Sequence, residues 1–449
     1  MQVSRRTFLM SSAVPLLAQK KAAPRPSNVV LILADDLGAW MLGCYRNQEI
    51  RTPNIDLLAR GGLHFLHHNV VTPASSASRA TLFTGRVPRQ HGIQDTLDGE
   101  SAPPESFGRE IMISDLLASK GYNCGYVGKW HLGDDAKPQH GFRFWYTVPA
   151  GSGPYQNPRM SWNGQLVQER GYLPELMTRK AVEFLEQQKP GQPFFLVAGY
   201  PNPHTPYEGH PQKYYDAYAR TTFETVGWQP PAANAVEGKE YLTDIVGNLK
   251  KCAASITAFD DQVPALISTL DKKGLRDDTL IIITAASGLL AGRHGLWGAG
   301  HASDPINMYQ EVVETPMIWN WPGRIPVEAR RPELVSSCDL FPSLCDVTGV
   351  PIPKGRGLSG RSYVPLATNQ SLPKKQPWRN LVFGHFLNTE MARDMRHKLV
   401  QRNNGAGPNE FYDLSKDPRE RVNQHNNDAY ITIRTGLAKE LGQRRKTNA

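Results

Sequence analysis

Residues 28–34 read Asn-Val-Val-Leu-Ile-Leu-Ala and stop abruptly at Asp35-Asp36-Leu37-Gly38. A short run this apolar, with no polar alternation, reads as a strand buried on both faces. Such a strand needs a largely parallel sheet with helices covering each side. Similar runs recur at residues 122–127, 193–200, 279–284 and 316–321. Helical patterns fall between them at 111–120, at 175–187 just after Pro174, and at 249–272 before Gly274. The alternation predicts a large, doubly wound, mostly parallel α/β domain. Beyond about residue 360 the texture changes. Short runs at 378–386, 394–402 and 411–414, with turns such as Asn403-Asn404-Gly405, predict a small antiparallel sheet.

Bulk properties limit partners only loosely. The chain has 449 residues, 21% of them charged, and a formal net charge of +9. The positive charge clusters only at residues 20–25 and 444–446. A basic balance attracts sulfated or carboxylated polysaccharides, and it equally describes a solvated surface. No nucleic-acid partner and no membrane span are expected. Five cysteines (Cys44, Cys124, Cys252, Cys338, Cys345) lack metal-ligand spacing and leave room for one or two bridges plus an odd thiol. At the start, Ser4-Arg5-Arg6-Thr7-Phe8-Leu9 precedes a weakly apolar run over 10–18, too short to span a bilayer. The segment resembles a bacterial twin-arginine export signal, which implies a periplasmic or extracellular protein maturing between residues 19 and 27. The alternative is a chance Arg-Arg pair before a disordered tail.

Each apolar run ends at a polar motif. In open α/β sheets ligands bind outside the carboxyl ends of the strands. Asp35-Asp36, Gly128-Lys129-Trp130-His131-Leu132-Gly133, Pro201-Asn202-Pro203-His204-Thr205-Pro206 and the segment after Thr284 are therefore expected to converge. Two adjacent carboxylates repel unless a cation lies between them, and a hard divalent ion with oxygen ligands suits them. The alternative is a helix N-cap at Asp36.

Residues 75–86 read Ser-Ser-Ala-Ser-Arg-Ala-Thr-Leu-Phe-Thr-Gly-Arg. This run resembles the sulfatase family signature, in which Cys or Ser, any residue, Pro or Ala, any residue and Arg precede Leu-Thr-Gly. The resemblance extends from about residue 27 to 427 and includes Arg51–Asp56, Tyr309 with Glu311, Trp321–Ile325 and Glu410–Leu414. It implies an alkaline phosphatase-like α/β catalytic domain over 27–359 and a small C-terminal domain over 360–449, after an export signal and linker at 1–26. It also implies that Ser75 is oxidised to formylglycine by a radical maturase that tolerates Ala77. The aldehyde hydrate would attack sulfur with one hydroxyl and expel sulfate with the other. Arg79 would steady the hydrate, Lys129 would bind sulfate, His131 would take a proton, and His204 would contact sulfate and the leaving oxygen. Asp35, Asp36 and residue 75 would be ligands of Ca2+. A purely structural alternative makes Ser75 the cap of a helix starting near Ala77.

The pattern breaks after residue 284. Where the family shows Ser-Asp-His-Gly or Ser-Asp-Asn-Gly, this chain has Ala285-Ala286-Ser287-Gly288, and the lysine that follows Leu-Trp-Gly is Ala299. Ala286 and Ser287 thus stand at two family calcium-ligand positions. Calcium takes about 6–8 oxygen ligands, so losing a carboxylate weakens the site unless Asp304 or water replaces it. Losing a group that steadies a developing oxyanion costs roughly 100- to 1,000-fold in rate. The expected function is an exported sulfuric ester hydrolase acting on a sulfate ester, sulfated polysaccharides included. The alternative is a pseudosulfatase that binds a sulfated or acidic ligand, or a partner, without turnover. A phosphate or phosphonate ester as substrate is a third reading, with no positive signal in the sequence.

Overall fold

The computed structural model describes residues 28–97, 103–372 and 376–447. The expected export segment at 1–26 lies outside the described residues. Ten strands form the main sheet: β1 Asn28–Asp35, β2 Leu63–Asn69, β3 Asn123–Gly128, β4 Phe144–Thr147, β5 Arg159–Trp162, β6 Gln165–Gln168, β7 Phe194–Pro203, β8 Thr279–Ala285, β9 Met317–Asn320 and β10 Ala329–Ser336. Their order across the sheet is β10-β2-β9-β8-β1-β7-β3-β4-β5-β6.

The apolar run at residue 28 becomes the middle of this sheet. All eight residues of β1 are buried, and the strand pairs in parallel with β7 on one side and β8 on the other. Leu31 lies opposite Val197 and Ile282, so three apolar strands share one register. Burial of each such side chain contributes about 1.5–3 kcal/mol, which fixes the strand against slippage. The helices pack in two groups. Pro53–Arg60, Leu173–Glu186, Ile245–Asp260 and Val263–Lys272 contact one another, and Ser75–Thr84, Ile113–Ser119 and Leu340–Thr348 form the second set. The sheet is mixed at its flanks. β9 runs antiparallel to both β8 and β2, and β4, β5 and β6 form an antiparallel ribbon at one edge.

A second sheet is an antiparallel meander of β11 Val382–Phe386, β12 Thr389–Arg393, β13 His397–Arg402 and β14 Glu410–Asp413. The helix Ile431–Thr447 covers it, burying Leu437 and Leu441 against Ala392, Leu399 and Phe411. The five cysteines are all free thiols, four of them buried. No helix among the described residues is long and apolar enough to cross a membrane.

Two expectations need correction. The single helix over 249–272 is two helices, Ile245–Asp260 and Val263–Lys272, with Pro264 in the first turn of the second, where a missing N–H costs nothing. The strand expected from 378 begins only at Val382, and β12 was not anticipated.

Because β1 holds both neighbours in register, Ile32→Ala should cost about 2–5 kcal/mol of stability, the usual range for a buried isoleucine truncation. Urea unfolding followed by tryptophan fluorescence measures it.

Candidate active site

The carboxyl ends of β1, β3, β7 and β8 meet the start of the helix Ser75–Thr84. Asp35 is the last residue of β1 and is fully buried. A buried carboxylate needs opposite charge close by. Lys129, just past β3, places Nζ 2.5 Å from Asp35 Oδ2, and Arg79 places Nη2 3.3 Å from Oδ1. Burial alone would raise the Asp35 pKa; the Lys129 and Arg79 charges outweigh it and hold the carboxyl well below the usual range. Arg79 is itself fully buried, and its Nη1 donates to the Lys129 carbonyl at 2.7 Å and to the Tyr126 hydroxyl at 3.3 Å.

Ser75 is the first residue of its helix, and Ala74 is the N-cap. The hydroxyl is therefore free of capping duty. It donates to Asp35 Oδ1 at 3.0 Å, accepts from Arg79 Nε at 3.3 Å, and lies 3.3 Å from His131 Nδ1. Arg79 reaches it because residues four apart share a helix face.

His131 adopts a left-handed backbone (φ 61°), held by a bond from its N–H to Asp135 Oδ1 at 3.0 Å. Its ring lies on Gly151, where a Cβ would come within 2.4 Å of the imidazole. Burial, then the Lys129 and Arg79 charges, push the His131 pKa down to about 3, so the ring is neutral at neutral pH. Burial pushes the Asp135 carboxyl up to about 7.

Asp36 takes a left-handed backbone (φ 58°), which turns its side chain beside that of Asp35. It caps no helix, since the following 3-10 turn is Ala39–Met41 with Gly38 before it. Its Oδ1 accepts from the Ser287 hydroxyl at 2.8 Å, and Oδ2 lies 3.9 Å from His204 Nε2. Burial, with the Asp35 charge, raises the Asp36 pKa against the pull of His204 and Lys129. His204 Nδ1 is bonded to the Thr205 carbonyl at 2.8 Å.

Ser75, His131, His204, Asp36 and Ser287 open into a cavity of about 480 Å³, which Ala299 and His301 also line. Ala286 is fully buried and offers no side-chain donor; its N–H continues the sheet to the Ala34 carbonyl. Asp304 is not among the lining residues. All of Asp35, Asp36, Ser75, Arg79, Lys129, His131 and His204 thus fall in one cluster. Sequence reasoning missed Asp135, Tyr126 and the Asp95–His301 pair. Asp135 and Tyr126 flank the Lys129–His131 motif without belonging to it, and Asp95 meets His301 across 206 positions, with no motif to flag any of them.

The chain is similar to known proteins along most of its length. The sulfatase family model matches residues 27–350, and the C-terminal model of N-sulphoglucosamine sulphohydrolase matches residues 298–447. The chain is 25% identical to an N-acetylglucosamine-6-O-sulfatase of Bacteroides thetaiotaomicron, over 95% of this chain and 88% of that protein. It is 29% identical to human arylsulfatase A over 91% and 85%, and 31% identical to the bovine protein over 75% and 67%. A structure solved with its substrate D-glucosamine-2-N,6-O-disulfate has the same fold, with a TM-score of 0.82, 22% identity and coverage of 94% of this chain and 98% of that one. The phosphonate monoester hydrolase of Agrobacterium radiobacter also shares it, with a TM-score of 0.70, 21% identity and coverage of 94% and 96%.

Lys129→Met strips Asp35 of its nearest counter-charge and should cost about 3–5 kcal/mol in urea unfolding. Adding Asp35→Asn to that variant should restore at least half of the loss, because the orphaned charge goes with its partner.

Proposed function

The chain belongs to the sulfatase family, and from that premise we propose that it hydrolyses sulfate esters with Ser75, oxidised to formylglycine, as the attacking group. The observation that carries the reading is the surroundings of Ser75 Oγ: an acceptor in Asp35, a cation in Arg79 and a neutral imidazole in His131, all within 3.3 Å on the floor of an open cavity. The single serine proton goes to Asp35, which leaves His131 Nδ1 as the acceptor at hand for a second hydroxyl on the same carbon. That donor set fits a formylglycine hydrate. When formed, the hydrate supplies one hydroxyl to attack sulfur and a second whose collapse to the aldehyde lets sulfate leave.

This chain's residues do the remaining work. Asp35 orients the attacking hydroxyl and draws on its proton. Arg79 and Lys129 put two cations beside the nucleophile, where charge on the sulfuryl oxygens develops in a poorly solvated site. His131 accepts a proton as the second hydroxyl collapses, which its neutral state permits. Gly151 leaves room for that ring.

The family generally uses calcium, and the residues here do not fit such a site. One oxygen of Asp35 is in contact with the Lys129 ammonium, and Asp36 is engaged by Ser287. Ala286 adds no oxygen, and among the described residues no three His, Cys, Asp or Glu side chains group as a metal site. Two carboxylates, each already answered by the protein, fall well short of the 6–8 oxygens calcium takes. Lys129 and Arg79 then serve as the counter-charge.

The route out of the cell rests on Ser4-Arg5-Arg6-Thr7-Phe8-Leu9. Twin-arginine export carries folded proteins, which suits five thiols left unbridged and requires Ser75 to be oxidised beforehand by a cytoplasmic radical maturase. The division into a catalytic domain over 27–359 and a small domain over 360–449 is supported by the two sheets. The substrate class is a sulfate ester, and the relatives named for amino-sugar sulfates favour a sulfated sugar. Ala286, buried next to the cavity-lining Ser287, and Ala299 on the cavity wall favour the second reading, a sulfated-ligand binder without turnover.

Protein carrying oxidised Ser75 should hydrolyse 4-nitrocatechol sulfate, Ser75→Ala should abolish turnover, and EDTA should leave it unchanged. No turnover by the oxidised protein favours the binder. Millimolar calcium should move the melting temperature by less than about 1 °C, since a ligand that binds the native state must stabilise it. In Ala286→Asp/Ser287→Asn calcium should raise it by several degrees.

A further inference from the structure

His301 sits on the wall of the Ser75 cavity and belongs to none of the motifs described above. It lies on the turn Gly300–Ala302, two residues past Ala299. That turn is tied to the nucleophile's own segment: the Gly300 N–H donates to the Pro73 carbonyl at 3.3 Å, two residues before Ser75. The fit is close, since a Cβ at Gly300 would come within 2.9 Å of both Pro73 and the Phe386 ring. Asn307 Nδ2 braces the turn from behind, donating to the carbonyls of Ala299 and Gly300 at 3.1 Å.

The imidazole is fixed at one end. His301 Nε2 is 2.8 Å from Asp95 Oδ1, and the ring stands edge-on to Phe386 at 4.7 Å. Nδ1 has no partner among the described residues, and about a third of the side chain is exposed. The charged groups facing it are Asp95, in direct contact, and Glu237, which lines the same cavity. The bond to Asp95 is the largest influence on the ring; it outweighs desolvation and raises the pKa above the ordinary 6.5.

The other cations near Ser75 are already committed. Lys129 and Arg79 answer Asp35, and His131 is neutral. His204 is engaged at both ring nitrogens. Its Nδ1 faces the Thr205 carbonyl, and its Nε2 faces Asp36. A departing alkoxide or phenoxide still needs a proton, and Ala299 has none to give.

We propose that His301, oriented by Asp95, is the catalytic acid that protonates the leaving oxygen. As the sulfur–oxygen bond breaks, the leaving oxygen keeps the bonding pair and takes the Nδ1 proton, giving the free alcohol. His301 becomes neutral, still donating through Nε2 to Asp95, and recovers its proton from the water that reaches its exposed edge. The bond to Asp95 favours the protonated ring. Activity therefore falls on the alkaline side, as pH rises through the folded-state pKa and the proton is lost.

The proposal rests on the sulfatase reading, and a series of substituted phenyl sulfates separates the two. In oxidised His301→Gln, kcat/KM for 4-nitrophenyl sulfate, whose phenoxide leaves without help, should fall about threefold or less. For 4-methylphenyl sulfate it should fall about 100-fold, the low end for general acid catalysis. Asp95→Asn should move the alkaline limb of the wild-type pH profile to lower pH. Parallel losses across the series, no loss, or an unmoved alkaline limb would overturn the role of His301 while leaving the sulfatase reading intact. A wild-type protein with oxidised Ser75 that turns over none of the esters would overturn both.

Discussion

The fully buried carboxylate of Asp35 is the group on which the site is built. The central strand carries it to the carboxyl end of the sheet, where the protein buries it completely. Left alone it would protonate or unfold the site, since an uncompensated buried charge costs several kcal/mol. Lys129 and Arg79 answer it from β3 and from the helix behind Ser75. That requirement fixes the rest. Arg79 reaches Asp35 from one turn inside the helix that begins at Ser75, and the serine hydroxyl meets the same Oδ1. The groups that support reaction are the groups that make the carboxylate tolerable.

Charge also explains how the site holds together after its substitutions. The resemblance to sulfatases assigns a carboxylate to position 286 and a lysine to position 299; this chain has alanine at both. One negative and one positive side chain are gone together. What remains is two aspartates facing Lys129 and Arg79, with His204 at ion-pair distance from Asp36 and the Ser287 hydroxyl completing its shell. A divalent ion added to this set would displace the Lys129 contact. The protein supplies its own cations, and the Asp95–His301 pair adds a further polar group on the cavity wall.

Much of this was legible in the sequence, for a physical reason. β1, β7 and β8 are buried on both faces, so they are apolar throughout and easily seen. β2 and β10 were not seen, because Leu-His-Phe-Leu-His-His-Asn and Ala-Arg-Arg-Pro-Glu-Leu-Val-Ser carry polar side chains into the sheet and lack the run. The residues at the strand ends could be named because each sits in a motif. His301 could not. Its partner is 206 positions away, and only the closed fold sets Asp95 against it. The positive φ of Asp36 and His131 was equally invisible, being imposed by the packing of the site and not by a local glycine.

The central claim is that Ser75, freed from capping and set against Asp35, Arg79 and His131, is converted into the attacking group. The mass of the peptide containing Ser75, from protein purified from its native host, tests this most directly. The account predicts a peptide two hydrogens lighter than the encoded sequence, with the loss at residue 75. An unmodified serine in all of the purified protein would contradict it and leave a sulfatase fold that binds its ligand without cleaving it.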